Sequence, residues 1–220
     1  MDRGKATTVI NTVILRFEAL LQSWGEQSHW DERKTNAHPT KSAVAGIIAA
    51  AMGIDRREYL GEICNNITMG VRIDRKGVLI SDFHTVGGGH PDSIILSAEN
   101  KKKYITGKPY TVISQRWYLA DASFAVSLQS EDGALLQDIK VALMNPKWNI
   151  YLGRKCCVPS LPVFESTGKY NNLLSSLFIK EKPHVYVLEC NRTQPGAVRH
   201  WDSVDSFGNF APRYTYTFRS

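Results

Sequence analysis

The stretch Pro39–Ile54 (PTKSAVAGIIAAAMGI) constrains this chain more than any other. Val44, Ile47, Ile48, Ala51 and Met52 recur at i, i+3, i+4, i+7 and i+8, one apolar stripe of an amphipathic helix over about 41–52. Thr40 or Ser42 offers a side-chain oxygen to cap its start, and Gly53 suits a left-handed stop with Ile54 folding back. The opposite face carries only Ser42, Ala45, Gly46, Ala49 and Ala50, small enough for another backbone to approach. Two uses fit such a segment. It is a core helix with ordinary caps, or its start, where free N–H groups meet Lys41, binds phosphate.

A chain of 220 residues with 43% hydrophobic and 22% charged residues can bury a sizeable core, which excludes a disordered class. No apolar run approaches the ~20 residues that span a bilayer, and Val9–Phe17 is too broken to be a signal-peptide core. A cytoplasmic protein without membrane contact is expected. Four cysteines (Cys64, Cys156, Cys157, Cys190) lack C-x-x-C spacing, and the adjacent pair suits neither a disulfide nor a zinc site. Reduced thiols follow, with no metal and no cofactor.

Along the chain, residues 1–10 form a polar leader. Val13, Leu15, Phe17 and Ala19 then alternate with polar neighbours as a half-buried strand. After the helix, Asp55–Glu58 has capping-box spacing and opens a second short helix to about Cys64. Ile67–Ile73 alternates as a strand and Asp74–Gly77 reads as a tight turn. Val78–Val86 and Tyr110–Trp117 read as the arms of a projecting hairpin, 78–117, with a mobile tip holding Gly87–Gly89 and Lys101–Lys103. Residues 75–118 carry net charge +4 of the chain's +6, interleaved with Tyr104, Tyr110, Trp117 and Tyr118. Rings beside cations suit unpaired bases, although a solvated basic loop has the same composition.

Ala122–Leu128 is a further strand, and Leu135–Leu143 a second amphipathic helix stopped by Asn145–Pro146. Strand, helix, strand, hairpin, strand, helix suits an α+β, ferredoxin-like (RRM-like) sheet with two helices on one face. Tyr151–Lys155 (YLGRK) places a glycine hinge before two cations, a candidate anion nest with Arg154 as a bidentate phosphate ligand. Val185–Cys190 and Tyr214–Phe218 complete a small C-terminal strand appendage over 166–220. Without a clean linker, 1–220 is one domain. The usual RRM aromatic signature is absent, so any RNA binding must use something other than standard sheet stacking.

Five stretches in order resemble one family. They are Leu20–Gly25 (LLQSWG), Pro39–Ile54, Asp82–Val86 (DFHTV), Tyr118–Phe124 (YLADASF) and Tyr151–Lys155. Together they look like the CasD family of CRISPR-associated subunits, the fifth Cas protein family, of the type I-E Cascade surveillance complex. The resemblance runs from about residue 12 to 165 and thins beyond. It implies an RRM-like domain with a protruding thumb that grips the 5′ handle of CRISPR RNA (crRNA). It further implies, as neighbours, the repeated backbone subunit and the large PAM-reading subunit, with target DNA engaged indirectly. In this branch the family is not catalytic. A relative in another branch is a metal-independent endoribonuclease using Tyr, Lys and His, and no adjacent Lys–His pair occurs here.

A bent single strand needs phosphate ligands, rings and groups that read base edges. Thr40, Lys41, Ser42, Arg154 and Lys155 are the phosphate candidates. Trp24, Tyr118 and Tyr151 are stacking candidates, with core packing as the alternative for Trp24 and Tyr118. Gln22, His84 and Arg116 are candidates for bases or 2′-hydroxyls. Two enzymatic readings stand beside this one: a repeat-cleaving endoribonuclease using His84 near Tyr118 or Lys108, and a hydrolase using His200, Asp202 and Ser203. No nucleophile elbow surrounds any serine.

Overall fold

The computed structural model describes residues 9–25, 31–55, 60–86, 104–105, 108–109, 112–180, 183–205 and 209–220. Residues 1–8 of the leader, 56–59 at the capping box, Gly87–Gly89, Lys101–Lys103, Tyr110 and the Gly208 loop lie outside them.

One strand organises the rest. β7 runs unbroken over Val112–Ser130, so the described part of the segment read as a strand at 110–117 and the strand read at 122–128 are one. Its second half lies between β1 (Ile10–Gln22) and β3 (Thr68–Arg75), both antiparallel to it. β8 (Phe164–Tyr170) pairs antiparallel with the far side of β1. The order β3-β7-β1-β8 continues beyond β3 through β9 (Val185–Glu189), β11 (Phe210–Arg219) and β10 (Val198–Val204). The segment expected as an appendage, 166–220, therefore supplies strands to both sides of a single sheet.

The apolar alternation does what the sequence asks. Val13, Leu15, Phe17 and Ala19 of β1 share a face with Ala122, Phe124, Val126 and Leu128 of β7, and all eight are buried. Packed on that face are α1 (Lys41–Met52), α2 (Leu60–Asn66) and α3 (Gly133–Met144). Asp132 caps α3 through its carboxylate, which accepts from the amides of Ala134 and Leu135. A smaller cluster lies elsewhere on the sheet, where Leu173 and Leu177 of α4 (Leu173–Leu177) meet Ala125, Tyr186 and Leu188. At the C-terminal end of α1, the amides of Lys147 and Trp148 donate to the Ala51 and Ala50 carbonyls at 2.9 and 3.3 Å, whereas a Cβ added at Gly46, on the small face, would meet nothing within 4 Å.

Asp74–Gly77 is a kink rather than a hairpin turn. β4 (Val78–Val86) pairs with the first half of β7 on the same side that β3 occupies further along, so the chain never reverses. Gly77 (φ 71°) and Asp121 (φ 54°) flank this point, and a Cβ on Gly77 would sit 2.6 Å from the Ala120 carbonyl oxygen. Only glycine takes that conformation in so little space. Arg75 braces the bend, donating to the Asp121 carbonyl and carboxylate at 2.8 and 2.9 Å. Beyond it β4 and β7 continue as a ribbon, along which β2 (Glu32–Arg33) pairs parallel with Gln115–Arg116, and between the two arms in the chain β5 (Tyr104–Ile105) pairs antiparallel with β6 (Lys108–Pro109).

The start of α1 departs from expectation in an instructive way. Thr40 makes no side-chain cap. The anion there belongs to the chain itself: the Lys41 amide donates to Asp202 Oδ2 at 3.2 Å. Arg213 holds the same carboxylate through two bonds of 2.9 and 2.5 Å, and Lys41 Nζ meets Glu189 at 2.8 Å. Burial alone would raise the Asp202 pKa, but the Arg213 bonds outweigh it and hold the group below its ordinary value. His38, packed edge-on against His200 at 6.2 Å, has a pKa lowered mainly by burial.

Both shifts are downward, so both groups contribute stability at neutral pH that acid removes. His38 begins to withdraw its share below about pH 6.5, and Asp202 below about 4. Asp202→Asn takes from buried Arg213 its closer counter-charge and leaves Glu189 at 3.9 Å, and a loss of about 3 kcal/mol is expected at pH 7. Urea unfolding of wild type and variant across pH 2–7 checks this, with the difference closing at the acid end.

Candidate nucleic-acid interface

The base of the ribbon gathers the polar and aromatic groups. Gly153 (φ 107°) turns the chain against β1 so closely that an added Cβ would lie 1.8 Å from the Ser23 carbonyl oxygen. The Ser23 amide donates to Leu152 at 3.0 Å, and Leu152 in turn donates to Cys157 at 2.7 Å. This loop lays the Arg154 guanidinium 4.5 Å from the centre of the Tyr118 ring. The same guanidinium donates to the Trp117 carbonyl at 3.1 Å and to the Arg33 carbonyl at 2.9 Å. Arg154 thus ties the loop, β7 and β2 together. Two of its five N–H donors carry those bonds.

Around it, Lys155 is exposed and Arg116 is half-buried, with Nε donating to Ser114 at 3.3 Å. Trp117 donates from its indole to Glu32 at 3.1 Å. Tyr118 is buried beneath Arg154, and its hydroxyl accepts from the Cys156 thiol at 3.6 Å. Burial raises the Tyr118 pKa against the lowering effect of Arg154. Cys156 is exposed, whereas the neighbouring Cys157 is buried and its thiol is pushed up to about 12 by desolvation.

The other candidates fall in different places. Trp24 is fully buried, its ring 5.3 Å from Phe17 and 6.5 Å from Phe124, so it is a core residue and not a stacking platform. Gln22 is buried as well and donates to the Ala122 carbonyl at 2.7 Å, which takes it away from any base edge. Lys41 is buried and paired with Glu189, and Thr40 is buried beside it, because the C-terminal strands cover the start of α1. Ser42, half-buried, follows them into α1. Tyr151 is half-buried and its hydroxyl accepts from Asn149 at 3.5 Å. His84 lies out on the ribbon, 3.8 Å from Asp82. The imagined His200–Asp202–Ser203 set does not assemble, because Asp202 is taken up by Arg213 and the Lys41 amide.

Glu32, Arg33 and Trp117 complete the neighbourhood of Arg154, and only Trp117 carried a sequence signal. β2 is two residues long, too short for any periodicity. Further out, the ribbon exposes Leu79, Phe83 and Ile113 on one face, with Phe83 68% accessible. Among the described residues no group of three or more His, Cys, Asp or Glu side chains could hold a metal ion. No helix is long and apolar enough to cross a membrane.

Known proteins give this geometry a family. The Cascade subunit CasD of Escherichia coli (strain K12) is 29% identical over 167 residues, covering 70% of each chain. A chain of a solved CRISPR RNA-guided surveillance complex superposes with TM-score 0.73 at 28% identity, over 95% of this chain and 90% of that one. A crystal structure described as a Cas protein gives TM-score 0.62 at 30% identity, over 95% and 93%. The model of one family matches residues 12–201. With its large, mostly antiparallel sheet and few helices, this chain belongs to the CRISPR-associated protein (Cas_Cas5) family.

Proposed function

We propose that this chain is the non-catalytic subunit of a type I-E CRISPR surveillance complex that binds the 5′ handle of crRNA and caps the filament of backbone subunits. It joins that filament to the large PAM-reading subunit, touches target DNA only indirectly, and acts in the cytoplasm. The observation that carries this reading is the placement of Arg154 over Tyr118 at the base of the ribbon, beside Lys155 and Arg116. A guanidinium fixed by two carbonyls keeps donors free for a phosphate without losing further side-chain entropy on binding. The strand order β3-β7-β1-β8, with α1 and α3 on one face, supports a ferredoxin-like (RRM-like) domain of which the ribbon is the thumb. Exposed Leu79, Phe83 and Ile113 suit a protein neighbour along that thumb.

Geometry also supports the non-catalytic part. His84 lies opposite Ser114, four residues along β7 from Tyr118, which puts the two roughly 13 Å apart at strand spacing. Groups so separated cannot share one proton transfer at a 2′-hydroxyl.

Lys155→Ala removes an exposed cation without touching the Arg154 clamp. It is expected to leave the melting temperature unchanged and to reduce the slope of log affinity against log salt for handle RNA by about 0.7, one single-strand phosphate contact. Filter binding between 50 and 300 mM salt reads this out, and a salt-independent wild type refutes the reading. Arg154→Lys keeps the charge but cannot span the Trp117 and Arg33 carbonyls, so both handle affinity and melting temperature should fall. Purified protein incubated with repeat RNA in EDTA should release no cleavage product on a denaturing gel.

A further inference from the structure

We infer that the outer edge of β10, over Val198–Trp201, receives an extended polypeptide strand from a neighbouring subunit, one that alternates an acidic residue with apolar ones. The inference rests on the chain's place in a complex and adds a contact independent of the RNA site. β10 is the last strand on its side of the sheet, and no strand pairs with its outer side among the described residues. Its two halves differ. Asp202–Val204 is buried, with Asp202 bonded to the start of α1. In Val198–Trp201, three of four residues are exposed, with Val198 54% and Trp201 51% accessible.

A half-covered terminal strand leaves backbone N–H and C=O groups in position to extend a ladder, which a polypeptide matches and a nucleic acid does not. Natural edges are blunted by lysine, proline or a bulge; β10 carries no lysine or proline, and its register shift, between His200 and Ser203, leaves Val198–His200 regularly paired with β11. Instead it presents Arg199 with its guanidinium 5.6 Å from the Trp201 ring centre, held ready for a carboxylate. Exposed tryptophan and arginine are the residue types that dominate protein contacts. The family match ends at residue 201, so the strand that supports this edge, β11, belongs to the part of the chain beyond it.

Hydrogen–deuterium exchange on the chain alone, the chain with handle RNA, and the chain in the complex assembled with the other subunits tests this. Amides of 198–201 are expected to exchange at least tenfold more slowly in the complex and at the free rate with RNA alone. Arg199→Glu with Trp201→Ser should abolish that protection while leaving the melting temperature and handle affinity as in wild type. Protection by RNA alone overturns the inference in favour of a nucleic-acid surface. Protection that grows with concentration of the isolated chain overturns it in favour of a second copy. Entry into the complex with no protection overturns this inference alone, and failure to enter the complex overturns it together with the proposed function.

Discussion

Everything in this molecule hangs on the backbone pairing of β7, which serves two structures with one continuous ladder. Its second half is a central strand between β3 and β1, buried on both faces, and its first half is one arm of an exposed ribbon. A buried strand is stabilised by side-chain packing that a two-stranded ribbon in water lacks. The ribbon therefore draws its order from the sheet through the uninterrupted chain. The Arg75 brace and the Arg154 clamp both act close to where that support is handed over.

The helix start shows how an electrostatic argument can be sound and still point to the wrong ligand. The free amides of α1 do attract an anion, and Lys41 does find a carboxylate. Both anions arrive from strands more than 140 residues further along, Asp202 on β10 and Glu189 on β9. An intramolecular carboxylate pre-positioned by Arg213 outcompetes a phosphate from solution, since no association entropy opposes it. The former candidate site is thus the joint by which the C-terminal strands are fastened to the helical layer.

Much of the fold was legible because its signals are local. The periodicity of α1 and the alternation in β1 and β3 predict elements within a few residues of those found. What depended on distant pairing was not legible. Nothing in Asp74–Gly77 tells a reversing turn from a kink, because the difference lies in which side of β7 the next strand joins. Tyr118, Arg154 and Lys155 stood out in the sequence as candidates, from a glycine beside cations and a ring. Their meeting with Glu32, Arg33 and Trp117 was not, since a strand of two residues has no pattern. Trp24 and Gln22 lie just where β1 ends, and whether such side chains face core or solvent is decided by Phe17, Phe124 and Ala122 across the sheet.

The paired left-handed residues at Gly77 and Asp121 make the ribbon a lever arm with its fulcrum inside the protein. Nine residues of β4 at about 3.4 Å each give an arm of roughly 30 Å. A rotation of only about 10° at the fulcrum carries Val86 roughly 5 Å sideways, comparable to the spacing between adjacent strands. Small adjustments beside Arg75 are thereby magnified into a choice of reach at the far end. Such a rotation would leave undisturbed the layer of side chains that keeps the body folded.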